Sequence, residues 1–225
     1  MTRSRILAAL CIALTAALIY ALMWVGYAQD WHWQQRMDWS LLNAAHDRAV
    51  KHPFWVRFWA DVSFALGPVP LRVLGTVVAA AALIVRRVRA GLLLLACAPL
   101  SGLVTVGAKM LAERPRPPTM LVAAAETSFP SGHALEVTAA LCAALSLALP
   151  AMGRAVRGVA VALVALSVLA VGISRVALNV HYPSDVLAGW SLGYLYFLVC
   201  FTVIRPPGTA RSRNACEAGD LITAR

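Results

Sequence analysis

The stretch SRVALNVHYPSDVLAGWSLGYLYFLVCFTVI, residues 174–204, decides the architecture. Its first part gathers serine, arginine, histidine and aspartate, and from Val186 to Ile204 it holds no charged residue. An apolar run of roughly 17–25 residues is long enough to cross a bilayer as a helix. Polar chemistry therefore sits at one mouth of a membrane span. Working outward, five more such runs appear at about 6–27, 69–85, 91–112, 134–152 and 156–173. The first, preceded by Arg3 and Arg5, is longer than the apolar core of a signal peptide and reads as a span.

Composition agrees with six spans. The chain has 225 residues, 60% apolar and 13% charged, against about 45–50% and about 25% in soluble domains. A net charge of +10 would suit a nucleic-acid partner in a soluble protein, but this chain is too apolar for that class. Collagenous, disordered and disulfide-scaffold classes are excluded as well. The five cysteines show no metal-ligand spacing, and four lie in apolar runs where cysteine acts as a small hydrophobe. The expectation is an all-α polytopic membrane protein: one six-helix domain over 1–204 and a polar tail over 205–225.

The charge is distributed by side. Arg3, Arg5, Arg86, Arg87, Arg89, Arg154, Arg157, Arg205, Arg211, Arg213 and Arg225 flank alternate span ends. With Glu217 and Asp220 that face carries 11 − 2 = +9, and the rest of the chain 9 − 8 = +1. The positive-inside rule makes the arginine-rich face, with both termini, cytoplasmic. The excess charge is thus an orientation signal, and no nucleic-acid partner is expected. Segment 29–67 falls on the outer side with Trp31, Trp33, Trp39, Trp55 and Trp59. Tryptophan favours the water–lipid boundary, so 37–64 reads as one or two interfacial helices, or else as a small extramembrane cap with its own core.

Three strings on that outer side collect ionisable residues where spans rarely tolerate them. KMLAERPRP carries Lys109, Arg114 and Arg116; SFPSGHALE carries Ser131, Gly132, His133 and Glu136; SRVALNVHYPSD carries Ser174, Arg175, His181 and Asp185. Taken singly, each has an ordinary structural reading: a snorkelling lysine, rim arginines, a helix cap, an interfacial histidine. Together they describe an oxyanion site. Lysine and arginine supply charge and forked donors, and a Ser-Gly helix start supplies N–H groups and the positive dipole end. His181 and Asp185 are four apart and share a face if the chain is helical there. A carboxylate holding one imidazole N–H leaves the other nitrogen as a nucleophile, with His133 as acid for the leaving group. No carboxylate cluster suited to Mg²⁺ is present, so lysine and arginine would do the charge stabilisation, and no metal or other cofactor is expected.

The three strings resemble the K-x6-R-P, P-S-G-H and S-R-x5-H-x3-D signature of the type 2 phosphatidic acid phosphatase (PAP2) superfamily, with every fixed position filled. The resemblance implies a PAP2-like helical bundle and phosphate binding by Lys109, Arg116 and Arg175, with Ser131 and Gly132 completing the cradle. It further implies His181 as nucleophile, Asp185 as its orienting partner and His133 as the acid. Arg114 lies inside the x6 stretch as a secondary candidate for phosphate contact, with Ser174 beside Arg175. Glu136, outside all three strings, either hydrogen-bonds His133, meets a substrate head group or is a buried acid paired with a polar neighbour.

The membrane branch of this family implies a lipid phosphate or pyrophosphate substrate, such as phosphatidic acid, phosphatidylglycerophosphate or a polyprenyl pyrophosphate; with the orientation read from the arginines, cleavage is expected at the outer face of the plasma or inner membrane. The same residues would serve a phosphotransferase, and a non-hydrolytic lipid-binding or transport protein could keep the pocket. Glycine and alanine on several spans would permit close helix contacts, but they fix no oligomeric state.

Overall fold

A computed structural model describes residues 3–124 and 127–204; the expected tail 205–225 lies outside the described residues, as does Cys216. Among the described residues all regular structure is helical: α1 (Arg3–Ala28), α2 (His32–Lys51), α3 (Pro53–Ala65), α4 (Pro68–Ile84), α5 (Val88–Cys97), α6 (Ser101–Ala112), α7 (Gly132–Ala148), α8 (Arg154–Ala177) and α9 (Pro183–Ile204). Six stretches are long and apolar enough to cross a membrane, and the protein is a multi-pass membrane protein. Large apolar side chains such as Leu14 and Leu18 on α1, Val73 on α4 and Leu166 on α8 are exposed along these helices, as expected where lipid is the solvent.

One span differs in detail from the sequence reading. The expected run 91–112 is two helices, broken at 98–100. Pro99 explains the break: it has no N–H to donate and disfavours helical backbone at the residue before it. The Ser101 hydroxyl takes up the freed Ala98 carbonyl at 2.8 Å. Segment 29–67 forms two helices, α2 and α3, and only Leu66 and Gly67 separate α3 from α4. The buried residues of α2, Gln34, Asp38, Leu42 and Ala49, lie on one stripe, and α2 packs on α8 and α9. These helices dock on the bundle, so the alternative of a cap with its own core does not hold.

The centre of the bundle is the α7–α9 pair, with α1 on α9 and α5 bridging both. Small residues bring the pair together. A side chain at Gly189 would lie 2.6 Å from the Ser131 carbonyl, and one at Gly193 would collide with the Leu135 carbonyl. This is the small-xxx-small contact by which membrane helices approach closely. It places the first turns of α7 and α9 side by side. A core of Ala79, Leu93, Leu94, Cys97, Ala139, Ala143 and Phe197 fills the bundle. Phe129 plugs the other end, fully buried and ringed by Tyr20, Trp24 and Tyr27 of α1. Arg86, Arg87, Arg89, Arg154 and Arg157 are exposed at the ends of the spans away from Phe129.

Candidate active site

The three strings converge where α6, α7, α8 and α9 end or begin. At the close of α6, Glu113 takes a left-handed backbone (φ 47°), and the Pro-rich strand that follows turns back over the bundle. It is clasped to the α8–α9 connection: Arg116 Nη1 donates to the Val180 carbonyl (2.6 Å), the Leu121 N–H to Leu178 O (3.1 Å) and Thr119 Oγ1 to Asn179 Oδ1 (3.0 Å). Asn179, also left-handed (φ 54°), makes the bend that presents His181.

Lys109, Arg175 and His181 are buried, at 7%, 8% and 2% exposure. Lys109 Nζ donates to Thr127 O (2.7 Å), and Arg175 Nη1 to Ser63 Oγ (2.8 Å). His133 is half-buried, and it lies within electrostatic reach of Arg175, His181, Arg116 and Lys109. Ser131 caps α7, its N–H bonded to Asp185 O at 2.9 Å. Its buried hydroxyl and the buried Arg175 Nε have no protein partner among the described residues. Free donors, a helix N-terminus and three cations around one point form an arrangement suited to an oxyanion with several oxygens.

The tautomer of His181 follows from its neighbours. Arg116 Nη1 lies 3.3 Å from Nε2, and a guanidinium only donates. Nε2 therefore carries the lone pair and faces the cations, and the proton is on Nδ1, 3.4 Å from Asp185 Oδ2. Burial, then the charges of Arg175, Arg116 and Lys109, hold the imidazole well below its ordinary pKa, so at neutral pH it is an uncharged base.

The pair does not share a helical face, as the spacing first suggests. His181 precedes α9, and Pro183 opens it. Asp185, in the first turn, reaches back so that Oδ2 accepts the Tyr182 N–H (2.9 Å), which is half of a capping box. Asp185 thus fixes the start of its own helix and the ring next to it in one contact.

Asp185 is itself held from behind. Arg114 Nη1 donates to Asp185 Oδ1 (2.6 Å) and Ser184 Oγ (2.8 Å), and its Nη2 to Asp38 Oδ2 (2.9 Å). Asp38 Oδ1 accepts the Ser184 N–H (2.9 Å) and Oδ2 the Ser184 hydroxyl (2.6 Å). The guanidinium is sandwiched between Tyr182 and Tyr27, 3.9 and 4.8 Å from their ring centres. Burial opposes the charge of Arg114, yet the Asp185 and Asp38 carboxylates outweigh it and raise its pKa. Burial raises the Asp38 carboxyl against the pull of Ser184 and Arg114. A cavity of about 250 Å³, lined by Gln34, Asp38, Arg114 and Tyr182 among others, lies on this rear side of Asp185.

The geometry places the three secondary candidates away from His181 Nε2. Arg114 is committed to two carboxylates behind Asp185 and is not among the cations at His181 Nε2. The Ser174 hydroxyl bonds within its own helix, to Val171 O at 2.6 Å. Glu136 pairs with Arg72 (2.6 Å) and accepts from Thr105 Oγ1 (3.2 Å); of its three readings, the paired buried acid is the one realised. Sequence reasoning missed Asp38, Ser184 and Ser63, whose partners are 76, 146 and 112 positions away. The available signal for Asp38 was the stripe Gln34, Asp38, Leu42, Ala49 at helical spacing on an otherwise polar helix.

Residues 89–207 match the family model described as the PAP2 superfamily. The chain is 41% identical over 91 residues to phosphatidylglycerophosphatase B of Bacillus subtilis (strain 168), a match that spans 39% of this chain and 44% of that protein. Among solved structures it is similar to that of a transmembrane PAP2 type phosphatidylglycerolphosphate phosphatase from Bacillus subtilis. The TM-score is 0.73 at 26% identity, with 85% of this chain and 94% of the other covered.

Proposed function

This chain belongs to the PAP2 superfamily, and from that premise we propose that it is an integral membrane phosphatase that removes the terminal phosphate of a lipid phosphate or pyrophosphate, of the phosphatidylglycerophosphate type. The observation that carries the reading is the buried His181 with its Nε2 turned to Arg116, and with Lys109 and Arg175 in electrostatic reach. Lys109, Arg116 and Arg175 bind the phosphoryl oxygens, together with Ser131 and the N–H groups at the start of α7 from Gly132 onward. Nε2 attacks phosphorus; a P–N bond forms as the P–O bond to the lipid breaks, and the leaving oxygen, an alkoxide from a monoester or a lipid phosphate from a pyrophosphate, takes a proton from His133. Water, deprotonated by His133, then breaks the P–N bond and releases inorganic phosphate. The fixed cations stabilise the charge on the equatorial oxygens. Asp185 stabilises the imidazolium character of phosphorylated His181, and Arg114 with Asp38 positions Asp185.

The test is a trapping experiment. Enzyme mixed with lipid labelled in the terminal phosphate and denatured in alkali is expected to carry label that acid removes, the behaviour of a phosphohistidine. Turnover is expected to persist in EDTA, because side-chain cations supply the charge. An unlabelled wild-type protein that nevertheless releases phosphate would exclude the covalent step.

The pH dependence has a defined sign. Because the folded environment depresses the His181 pKa, the nucleophile stays deprotonated below the ordinary histidine value of about 6.5. The acid limb of kcat/KM, corrected for ionisation of the lipid phosphate, is expected below pH 6.5. A limb above 7 would contradict the buried, cation-flanked imidazole.

The orientation we propose places this site on the outer face and the exposed arginines Arg86, Arg87, Arg89, Arg154 and Arg157 in the cytoplasm. Ala123→Cys, in the exposed part of the site loop, is expected to react with a membrane-impermeant maleimide added to intact cells. Labelling only after permeabilisation would reverse the assignment.

A further inference from the structure

Arg72 lies in the second turn of α4, in a helix otherwise without charge. Its Nε and Nη2 reach Glu136 Oε2 at 2.8 and 2.6 Å, and the Arg72 side chain is 42% exposed while that of Glu136 is 6% exposed. Both neighbouring surfaces are apolar and open: Val69, Val73 and Val77 on α4, Leu103 and Val106 on α6. A half-exposed guanidinium between such surfaces is costly in a membrane unless it meets an acceptor. Glu136 takes the Nε proton and one on Nη2. Two protons on Nη1 and one on Nη2 remain.

The pair lies directly behind the phosphate cradle. A side chain at Gly132 would lie 2.6 Å from Thr105 Cγ2 and 3.7 Å from Glu136 Oε1, and one at Gly102 would lie 2.7 Å from Arg72 Nη2. The two glycines keep this corner open, and Thr105 locks the Glu136 carboxylate that aims the guanidinium. Along α7, Glu136 follows His133 by three residues, about 4.5 Å deeper toward the hydrocarbon. Lys109, Arg116 and Arg175 already surround His181, so Arg72 is a cation one layer nearer the acyl chains than the reacting phosphate.

We propose that Arg72, oriented by Glu136, binds the second phosphoryl group of the substrate, the one that is not cleaved. The substrate class is then a lipid with two phosphates in series, joined by a glycerol or an anhydride bridge, the inner one next to the hydrocarbon. This inference rests on the lipid phosphatase reading above and narrows it: a lipid with a single phosphate fills the cradle and leaves Arg72 unused.

The experiment compares release of phosphate from phosphatidylglycerophosphate and from phosphatidic acid in mixed micelles. Arg72→Gln is expected to lower the ratio of kcat/KM for the first lipid over the second by roughly 10- to 100-fold, the worth of a charge-assisted hydrogen bond. Arg72→Lys is expected to recover part of it. Because Arg72→Gln strands a buried carboxylate, the double variant R72Q/E136Q is measured beside it, and the same loss of ratio is expected. An unchanged ratio, or an equal fall on both lipids, would overturn the inference. Wild-type protein that releases phosphate from neither lipid, nor from a polyprenyl pyrophosphate, would overturn the phosphatase reading itself, before any variant is compared.

Discussion

Substituting His181 by alanine is expected to lower kcat by at least about 10⁴-fold, the scale on which an activated nucleophile is lost, with little change in melting temperature or in binding of a phosphate analogue. The side chain is 2% exposed, but its ring is held by Arg116 at Nε2, by the Ser128 backbone and by the nearby Asp185 carboxylate, contacts that hold the imidazole more than the fold. The cradle of Lys109, Arg116, Arg175 and Ser131 survives the change. Vanadate, which takes the trigonal-bipyramidal geometry of the transferring phosphoryl group, should still protect the variant thermally, though more weakly without the axial nitrogen. Full turnover by His181→Ala would remove the covalent mechanism at once.

The second large effect is on stability. Arg114→Met is expected to cost about 3–5 kcal/mol, the penalty for breaking a buried ion pair on one side, because Asp38 and Asp185, at 1% and 0% exposure, would face each other without compensation. Adding Asp38→Asn should restore a substantial part of the loss, since only one carboxylate then stays buried. Thermal unfolding in detergent followed by tryptophan fluorescence reads both. If the two substitutions simply add, Asp38 and Arg114 do not act as a unit. Asp38→Asn alone is expected to lower kcat about tenfold with KM little changed, because Asp185 loses its rear support while the phosphate cradle does not.

Much of this molecule was legible before any coordinates. The spans were, because lipid selects long uncharged runs. The gathering of Lys109, Arg116, Ser131, His133, Arg175, His181 and Asp185 was, because they occur in three short strings at span ends on one side of the chain. The interruption of the third span was present as Pro99, but hydropathy averages over a single residue and hides it. The hidden part is the set of partners that steady the cradle. Asp38 and Ser63 sit on helices that read as interfacial, where an acid or a serine looks like solvent-facing decoration. Arg72 and Glu136 are 64 positions apart. Such pairs leave no local signature; only packing brings them together.

The Asp38–Arg114–Ser184–Asp185 knot also orders the making of the protein. Asp38 leaves the ribosome early, Arg114 follows, and Ser184 and Asp185 arrive with α9, the latest of the described helices. Until then the Arg114 guanidinium and the Asp38 carboxylate lack their partners on α9. A chain halted before Pro183 lacks Asp185 and the glycine face that α7 packs against, so an incomplete product carries polar groups without their final partners. The support behind Asp185 is therefore the last part of the site to close, since it exists only once α9 stands beside α2.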